Sequence, residues 1–240
     1  MSIRRKEIVR VPAIAVALFL VASALSGQPA EKRVALVIGN GAYEHLPRLA
    51  NPANDARDVS EALSTLGFDV ISRIDADRTS MEEAVFDFAV RLESGNAVVM
   101  FYYAGHGVQS RGCNSLLPVD ADIDSEAELR IRAVEADLIL EYMHDAGNPL
   151  NVIVLDACRD NPFEGTFRSA NRGLARVEEL PKGSIVVYAT QPGNVAEDGR
   201  GVNGTFTRAL LDHIATPGLD VMEMFRKVGE SVSVATNDRQ

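Results

Sequence analysis

The chain is short of basic side chains, of cysteine and of long uninterrupted apolar runs. Twenty-four Lys and Arg stand against 34 Asp and Glu, a net charge of −10, which excludes the basic footprint of a nucleic-acid binder. Acidity of this kind is a solubility feature before it is a function. No internal repeat and no low-complexity tract interrupts the 240 residues, so the expectation is one α/β domain with a short N-terminal extension. At 46% hydrophobic residues the chain can build a full core, and disorder is not indicated. The two cysteines, Cys113 and Cys158, leave two readings open: a disulfide between them, or a free Cys158. One bridge is not needed to hold a domain of this size.

The apolar run Val11–Leu25 is shorter than the about 20 residues of a membrane helix. It comes after a positive segment, Arg4, Arg5, Lys6 and Arg10, and contains the small residues Ala22 and Ala24 just before Ser26. That order is the pattern of a secretory signal peptide over residues 1–26. The expected location is therefore exported, periplasmic or secreted; kept uncleaved, the segment would be an N-terminal membrane anchor. Its removal leaves twenty basic against thirty-three acidic side chains, a net of −13.

From residue 32 onward, strand-like and helix-like segments alternate. Val34–Ile38 is a continuous apolar, β-branched run ending in Gly39, as in a strand buried on both faces. Asn51 as N-cap, Pro52 as first residue and Ala56, Val59, Leu63 and Leu66 as stripe predict a helix closed by Gly67. Phe68–Ile74 reads as a strand. A capping box, Thr79 with Glu82, opens a helix with Met81, Val85, Phe88 and Leu92 on one face. Ala97–Ala104 is a third strand running into Gly105-His106-Gly107; residues 110–130 are loop-like; Val134–Ala146 is a helix. Val152–Leu155 and Ser184–Thr190 are strands around a polar stretch at 159–183, and Phe206–Ile214 and Val221–Val232 are helices. Such alternation predicts a mostly parallel sheet with helices on both faces.

Open parallel sheets place their sites at the carboxyl ends of strands. Two such ends carry reactive side chains, His106 and Cys158, which lie 52 residues apart and meet in space if their strands are neighbours. A thiol is nucleophilic as thiolate, so a nearby imidazole can activate it and later protonate a leaving amine. Gly105 and Gly107 leave room for a substrate backbone to approach.

At these residues the sequence resembles the caspase superfamily, and within it the bacterial metacaspase-like members. Tyr102–Gly107 (YYAGHG) is similar to the family's histidine motif and Asp156–Phe163 (DACRDNPF) to its cysteine motif. The spacing matches a caspase signature in which Gln-Ala-Cys lies about 50 residues beyond the histidine. Further likeness runs through Val34–Asn40, Asn54-Asp55, Leu117–Asp120 and Phe206–Leu211, so it covers residues 32–240. The resemblance implies a three-layer caspase-like fold over 32–240 and a cysteine endopeptidase acting on protein or peptide substrates. His106 would serve as base and then acid, Cys158 as nucleophile, and the backbone N–H groups of Gly107 and Cys158 as the oxyanion hole. Such a dyad requires no cofactor.

Where true caspases have Gln two residues before the cysteine, in a pocket for aspartate, this chain has Asp156. A carboxylate there repels aspartate and pairs with a guanidinium or ammonium. Asp55 matches a second acid of the metacaspase pocket, so the resemblance implies cleavage after Arg, and less readily Lys. The plainer reading has Asp156 capping backbone amides or pairing with Arg159. The chain departs from relatives at Ala104 and Pro52, which replace Ser and Cys, and at Ser115, which replaces Tyr. Arg48 is placed to compete for Asp55. The chain stops at Gln240 where relatives continue, so the expectation includes a missing last segment.

Metacaspases are often calcium-activated, and Asp120, Asp122 and Asp124 form an alternating acidic set with the oxygen donors Ca²⁺ takes; a solvated acidic loop is the simpler reading. Arg168, Arg172, Arg176 and Lys182 offer self-cleavage sites to an enzyme that cuts after basic residues. The same residues admit two rival functions. One is a non-catalytic caspase-like interaction module. The other is a nucleotide-binding domain using Gly39-Asn40-Gly41, but no G-x-G-x-x-G or P-loop lysine accompanies that turn.

Overall fold

Val34 to Ile38 are all fully buried, and successive side chains enter two different cores. The computed structural model describes residues 31–92, 96–158, 170–171, 174, 182–189 and 201–238. In chain order these form β1 (Lys32–Gly39), α1 (Pro52–Thr65), β2 (Asp69–Ile74), α2 (Arg78–Leu92), β3 (Ala97–Ser110) and β4 (Cys113–Leu116). A 3₁₀ turn (Glu126–Glu128) then leads to α3 (Leu129–Arg132), β5 (Val134–Glu135), α4 (Ala136–Asp145), β6 (Leu150–Cys158), β7 (Ala170–Asn171), β8 (Ser184–Tyr188), α5 (Thr205–Ile214) and α6 (Val221–Thr236).

The parallel part of the sheet has the order β2-β1-β3-β6-β8. On one face Leu36, Phe101, Tyr103, Ile153 and Leu155 pack with Phe88 of α2 and Ile139 and Met143 of α4. On the other, Val37, Tyr102 and Val154 pack with Val59 of α1, Leu210 of α5 and Val228 of α6. Both faces are covered, which is why the strands read as unbroken apolar runs rather than as alternations. The result is the three-layer α/β fold that the sequence pattern implies.

The third strand is longer than its apolar run. β3 continues through Gly105-His106-Gly107 to Ser110, and beyond His106 it pairs antiparallel with β4 and with β7. β4 pairs in turn with β5. The segment 110–130, expected to be loop, therefore contains a strand, a 3₁₀ turn and the start of α3. Val134 and Glu135, expected to open a helix, form β5 because Val134 is drawn into register with Leu116 and into the core. Over this end of the sheet lies a third cluster of Tyr43, Val108, Leu117, Ala121, Ile123, Leu129 and Ala133.

Two helix starts differ from expectation. α2 begins at Arg78, and its cap is Asp77, whose Oδ1 accepts from Ser80 N at 2.8 Å. The Thr79–Glu82 box does not form, and Glu82 pairs with Arg78 at 2.6 Å. Asp is among the strongest cap residues, and Asp77 precedes Thr79. Asn51 does stand before α1 with Pro52 in its first turn, but its side chain makes no cap bond.

Candidate active site

β3 and β6 are adjacent, and their register pairs Ala104 with Asp156, Gly105 with Ala157 and His106 with Cys158. Neighbouring strands lie about 4.8 Å apart, so the sheet itself brings the two motif residues side by side.

His106 is 4% exposed and is held on several sides. Its ring packs against Tyr43 with centroids 4.6 Å apart and planes tilted by 47°. Nε2 lies 2.8 Å from the Pro47 carbonyl oxygen, which can only accept, so Nε2 carries the proton. Nδ1 is then the basic nitrogen of the neutral ring. The His106 backbone is fixed equally well. Its N–H donates to the Tyr43 hydroxyl at 2.7 Å, and its C=O accepts from the Tyr103 hydroxyl at 2.7 Å and from Leu117 N–H at 3.0 Å. The loop carrying Tyr43 is tied in turn by Asp75, whose Oδ1 accepts from the N–H groups of Gly41 and Ala42.

The space beside the two glycines is used by the protein rather than left for a substrate. A Cβ at Gly105, whose φ is +154°, would stand 2.7 Å from the Tyr43 hydroxyl and 2.8 Å from that of Tyr103. At Gly107 it would stand 2.8 Å from Leu174 Cδ2. Gly105→Ala is therefore expected to destabilise the fold by more than about 1 kcal/mol in chemical denaturation, because both tyrosine hydroxyls must move. Gly107 opposes Leu116, and the bond between Leu117 N–H and His106 C=O makes this the non-hydrogen-bonded pair. The Gly107 N–H thus points away from β4 and toward β6, where the parallel pairing of His106 with Cys158 turns it to the Cys158 C=O.

Asp55, on α1, and Asp156, on β6, converge. The point a Cβ would occupy at Gly204 is 3.3 Å from Asp55 Oδ2 and 3.9 Å from Asp156 Oδ2. Asp55 Oδ1 accepts from Gly204 N at 3.0 Å, and Asp156 Oδ2 accepts from the Thr207 hydroxyl at 2.7 Å. Asp55 is 3% exposed. Burial first, and then the negative charge of Asp156, push its carboxyl up to about 7.

Between its ordinary value of 3.8 and about 7, native Asp55 holds a proton that the unfolded chain has lost, so stability falls as pH rises through that window. The loss is on the order of 4 kcal/mol above pH 7. Asp55→Asn keeps an acceptor for Gly204 and removes the charge. It is expected to raise the melting temperature at pH 8 and to give no advantage below about pH 4; an unchanged or lower value at pH 8 would contradict the assignment.

Other expected residues are placed differently. Asp120, Asp122 and Asp124 are exposed and alternate with the buried Ala121 and Ile123. Their spacing is the solvent side of a segment that opens in a turn, and Asp120 Oδ1 accepts from Arg78 N. Among the described residues no three His, Cys, Asp or Glu side chains gather as a metal-holding group. Arg48 is exposed and makes no ion pair with Asp55. Cys113 is a free cysteine. It pairs with Ser110, four residues beyond His106, or about 13 Å of strand, whereas a disulfide needs Cα atoms within about 7 Å. Residues 1–26, Arg159, Arg168, Arg172 and Arg176 lie outside the described residues. No described helix is long and apolar enough to cross a membrane. Tyr43, Asp75, Gly204 and Thr207 are not legible in the sequence as site residues, since each acts through a contact distant along the chain.

A caspase domain model of the peptidase C14 family matches residues 32–240. The mouse (Mus musculus) mucosa-associated lymphoid tissue lymphoma translocation protein 1 homolog is 36% identical over 191 residues, 79% of this chain. A Dictyostelium discoideum paracaspase is 24% identical over 192 residues, covering 76% of this chain and 44% of its own. Caspase-1 of Sus scrofa is 24% identical over 242 residues, 90% of this chain and 57% of its own. The chain spans 22% of the length of the mouse relative. With the strand order, the paired motifs and this match over nearly all of the chain from residue 32, the chain belongs to the caspase-domain family of peptidases.

Proposed function

We propose that this chain is a metacaspase-like cysteine endopeptidase that cleaves after basic residues, Arg in preference to Lys. Cys158 attacks the scissile carbonyl, and His106 Nδ1 removes the thiol proton and returns it to the leaving amine. The N–H groups of Gly107 and Cys158 receive the developing oxyanion. The observation that carries the specificity is the convergence of Asp55 and Asp156 beside Gly204. Two carboxylates, one raised to about 7 by burial and by the other's charge, form a site that a P1 cation relieves and a P1 aspartate cannot enter. Export from the cytoplasm is part of the proposal and rests on the basic and apolar pattern of residues 1–26.

Purified protein assayed on fluorogenic peptides ending in Arg, Lys and Asp tests this, with Cys158→Ala as control. Turnover in the order Arg, Lys and then Asp is expected. A preference for Asp overturns the specificity. No turnover, together with no labelling of Cys158 by an Arg-chloromethylketone probe, favours a non-catalytic interaction module.

A further inference from the structure

The Asp156 carboxylate is the end of a buried hydrogen-bond chain that reaches across the sheet. Tyr102 of β3 and Thr207 of α5 are both fully buried. The Tyr102 hydroxyl lies 2.7 Å from Thr207 Oγ1, and that oxygen lies 2.7 Å from Asp156 Oδ2. A threonine hydroxyl has one proton. Ionised Asp156 can only accept, so the proton of Thr207 goes to Asp156, and Tyr102, which hydrogen-bonds both Thr207 and the Asp156 carboxylate, donates to one of the two. Thr207 is thereby fixed as a donor to Asp156, with the Tyr102 hydroxyl braced against both of them. Burial, and then the charges of Asp156 and Asp55, hold the Tyr102 phenol well above its ordinary value, so it keeps the proton it donates.

We infer that Thr207, oriented by Tyr102, is a specificity-determining positioning residue that sets the plane of the Asp156 carboxylate and so discriminates Arg from Lys at P1. The inference rests on the reading of Asp156 as part of the P1 pocket and extends it. A carboxylate oxygen has two lone pairs, so Oδ2 can hold Thr207 and still accept from a substrate. A guanidinium engages a carboxylate through two parallel N–H bonds and needs the carboxylate plane set in advance. An ammonium is a point donor that adjusts to the carboxylate wherever it turns. Fixing Oδ2 before substrate arrives therefore favours Arg more than Lys, because the ordering cost is already met in the free enzyme.

The experiment compares Thr207→Val, Thr207→Ser and Tyr102→Phe with the parent on matched Arg and Lys peptides, separating kcat from KM. Thr207→Val keeps the shape and deletes the donor. It is expected to raise KM for Arg roughly 10-fold with kcat little changed, and to collapse the Arg-to-Lys ratio. Thr207→Ser restores the ratio, and Tyr102→Phe shifts it in the same direction by a smaller factor. An unchanged ratio in Thr207→Val overturns the role of Thr207, as does Thr207→Ser behaving like Val. If Thr207→Val does not fold, the ratios of Thr207→Ser and Tyr102→Phe decide: Ser retaining the parent ratio while Phe lowers it supports the relay, and any other pattern overturns it. A parent enzyme that cuts after neither Arg nor Lys sinks the pocket reading itself, which keeps the two failures distinct.

Discussion

Cys158→Ala is expected to lower kcat/KM on Arg-terminated peptides by about 10⁴-fold or more, and His106→Ala by about 10²–10⁴-fold. The two losses differ because the residues do different things. Without the thiol no acyl-enzyme can form, whereas without the imidazole a small thiolate fraction still exists and cysteine is intrinsically nucleophilic. The residues act as a unit, so the double variant should be no slower than Cys158→Ala alone. Neither substitution should alter secondary structure. His106 is held through its backbone by the hydroxyls of Tyr43 and Tyr103, and those bonds survive loss of the ring. Peptidase activity in Cys158→Ala within tenfold of the parent would end the assignment. Additive losses in the double variant would mean that His106 acts elsewhere than on Cys158.

The second large effect concerns charge. Asp156→Asn is expected to cost roughly 10²–10³-fold in kcat/KM for an Arg peptide, since a buried cation loses its closest counter-charge. A peptide with citrulline at P1 has the same shape without the charge and should be affected far less. The pH dependence gives an independent check. In the free enzyme Asp55 titrates near 7, and kcat/KM reports the groups of the free enzyme. As pH falls through that value, Asp55 gains a proton and the pocket loses a negative charge, so the Arg peptide loses rate. Taking the Arg-to-citrulline ratio cancels the titration of His106 and Cys158, which both substrates share. That ratio should fall below about pH 7 in the parent. In Asp156→Asn the midpoint should move to lower pH, because the largest of the neighbouring charges that raise Asp55 is gone. A ratio flat from pH 5 to 8 would contradict the pocket.

The parallel strands and both motifs are legible in the sequence because they depend on local pattern; the order of the strands is not. Residues Val34–Ile38, Ala97–Ala104 and Val152–Leu155 are apolar at every position, which a strand covered on two faces requires. The continuation of β3 past Ala104 has no such local signal. Gly105, His106 and Gly107 look like the start of a loop, and they remain extended because β4 and β7 lie beside the next residues of the strand. The alternating acids at 120, 122 and 124 carry two meanings at once, ligand set or solvent face, and only the burial of Ala121 and Ile123 chooses between them. The glycines of the histidine motif suggest clearance for a substrate; two tyrosine hydroxyls and Leu174 stand there instead. Asp156 and Asp55 are reached through resemblance. Nothing in the local sequence around Thr207 or Gly204 ties either residue to a partner some fifty or one hundred and fifty positions away.

Because the β3–β6 ladder sets where His106 meets Cys158, the length of chain between them is free of that task. One residue inserted before His106 in β3 would shift it by about 3.3 Å and turn it to the opposite face of the sheet. An insertion at the exposed Arg111-Gly112 hairpin tip, where both residues already have positive φ, would cost only loop entropy, about 0.6 kcal/mol for each doubling of length. The tip is thus a graft point, and the two strands are a fixed gauge.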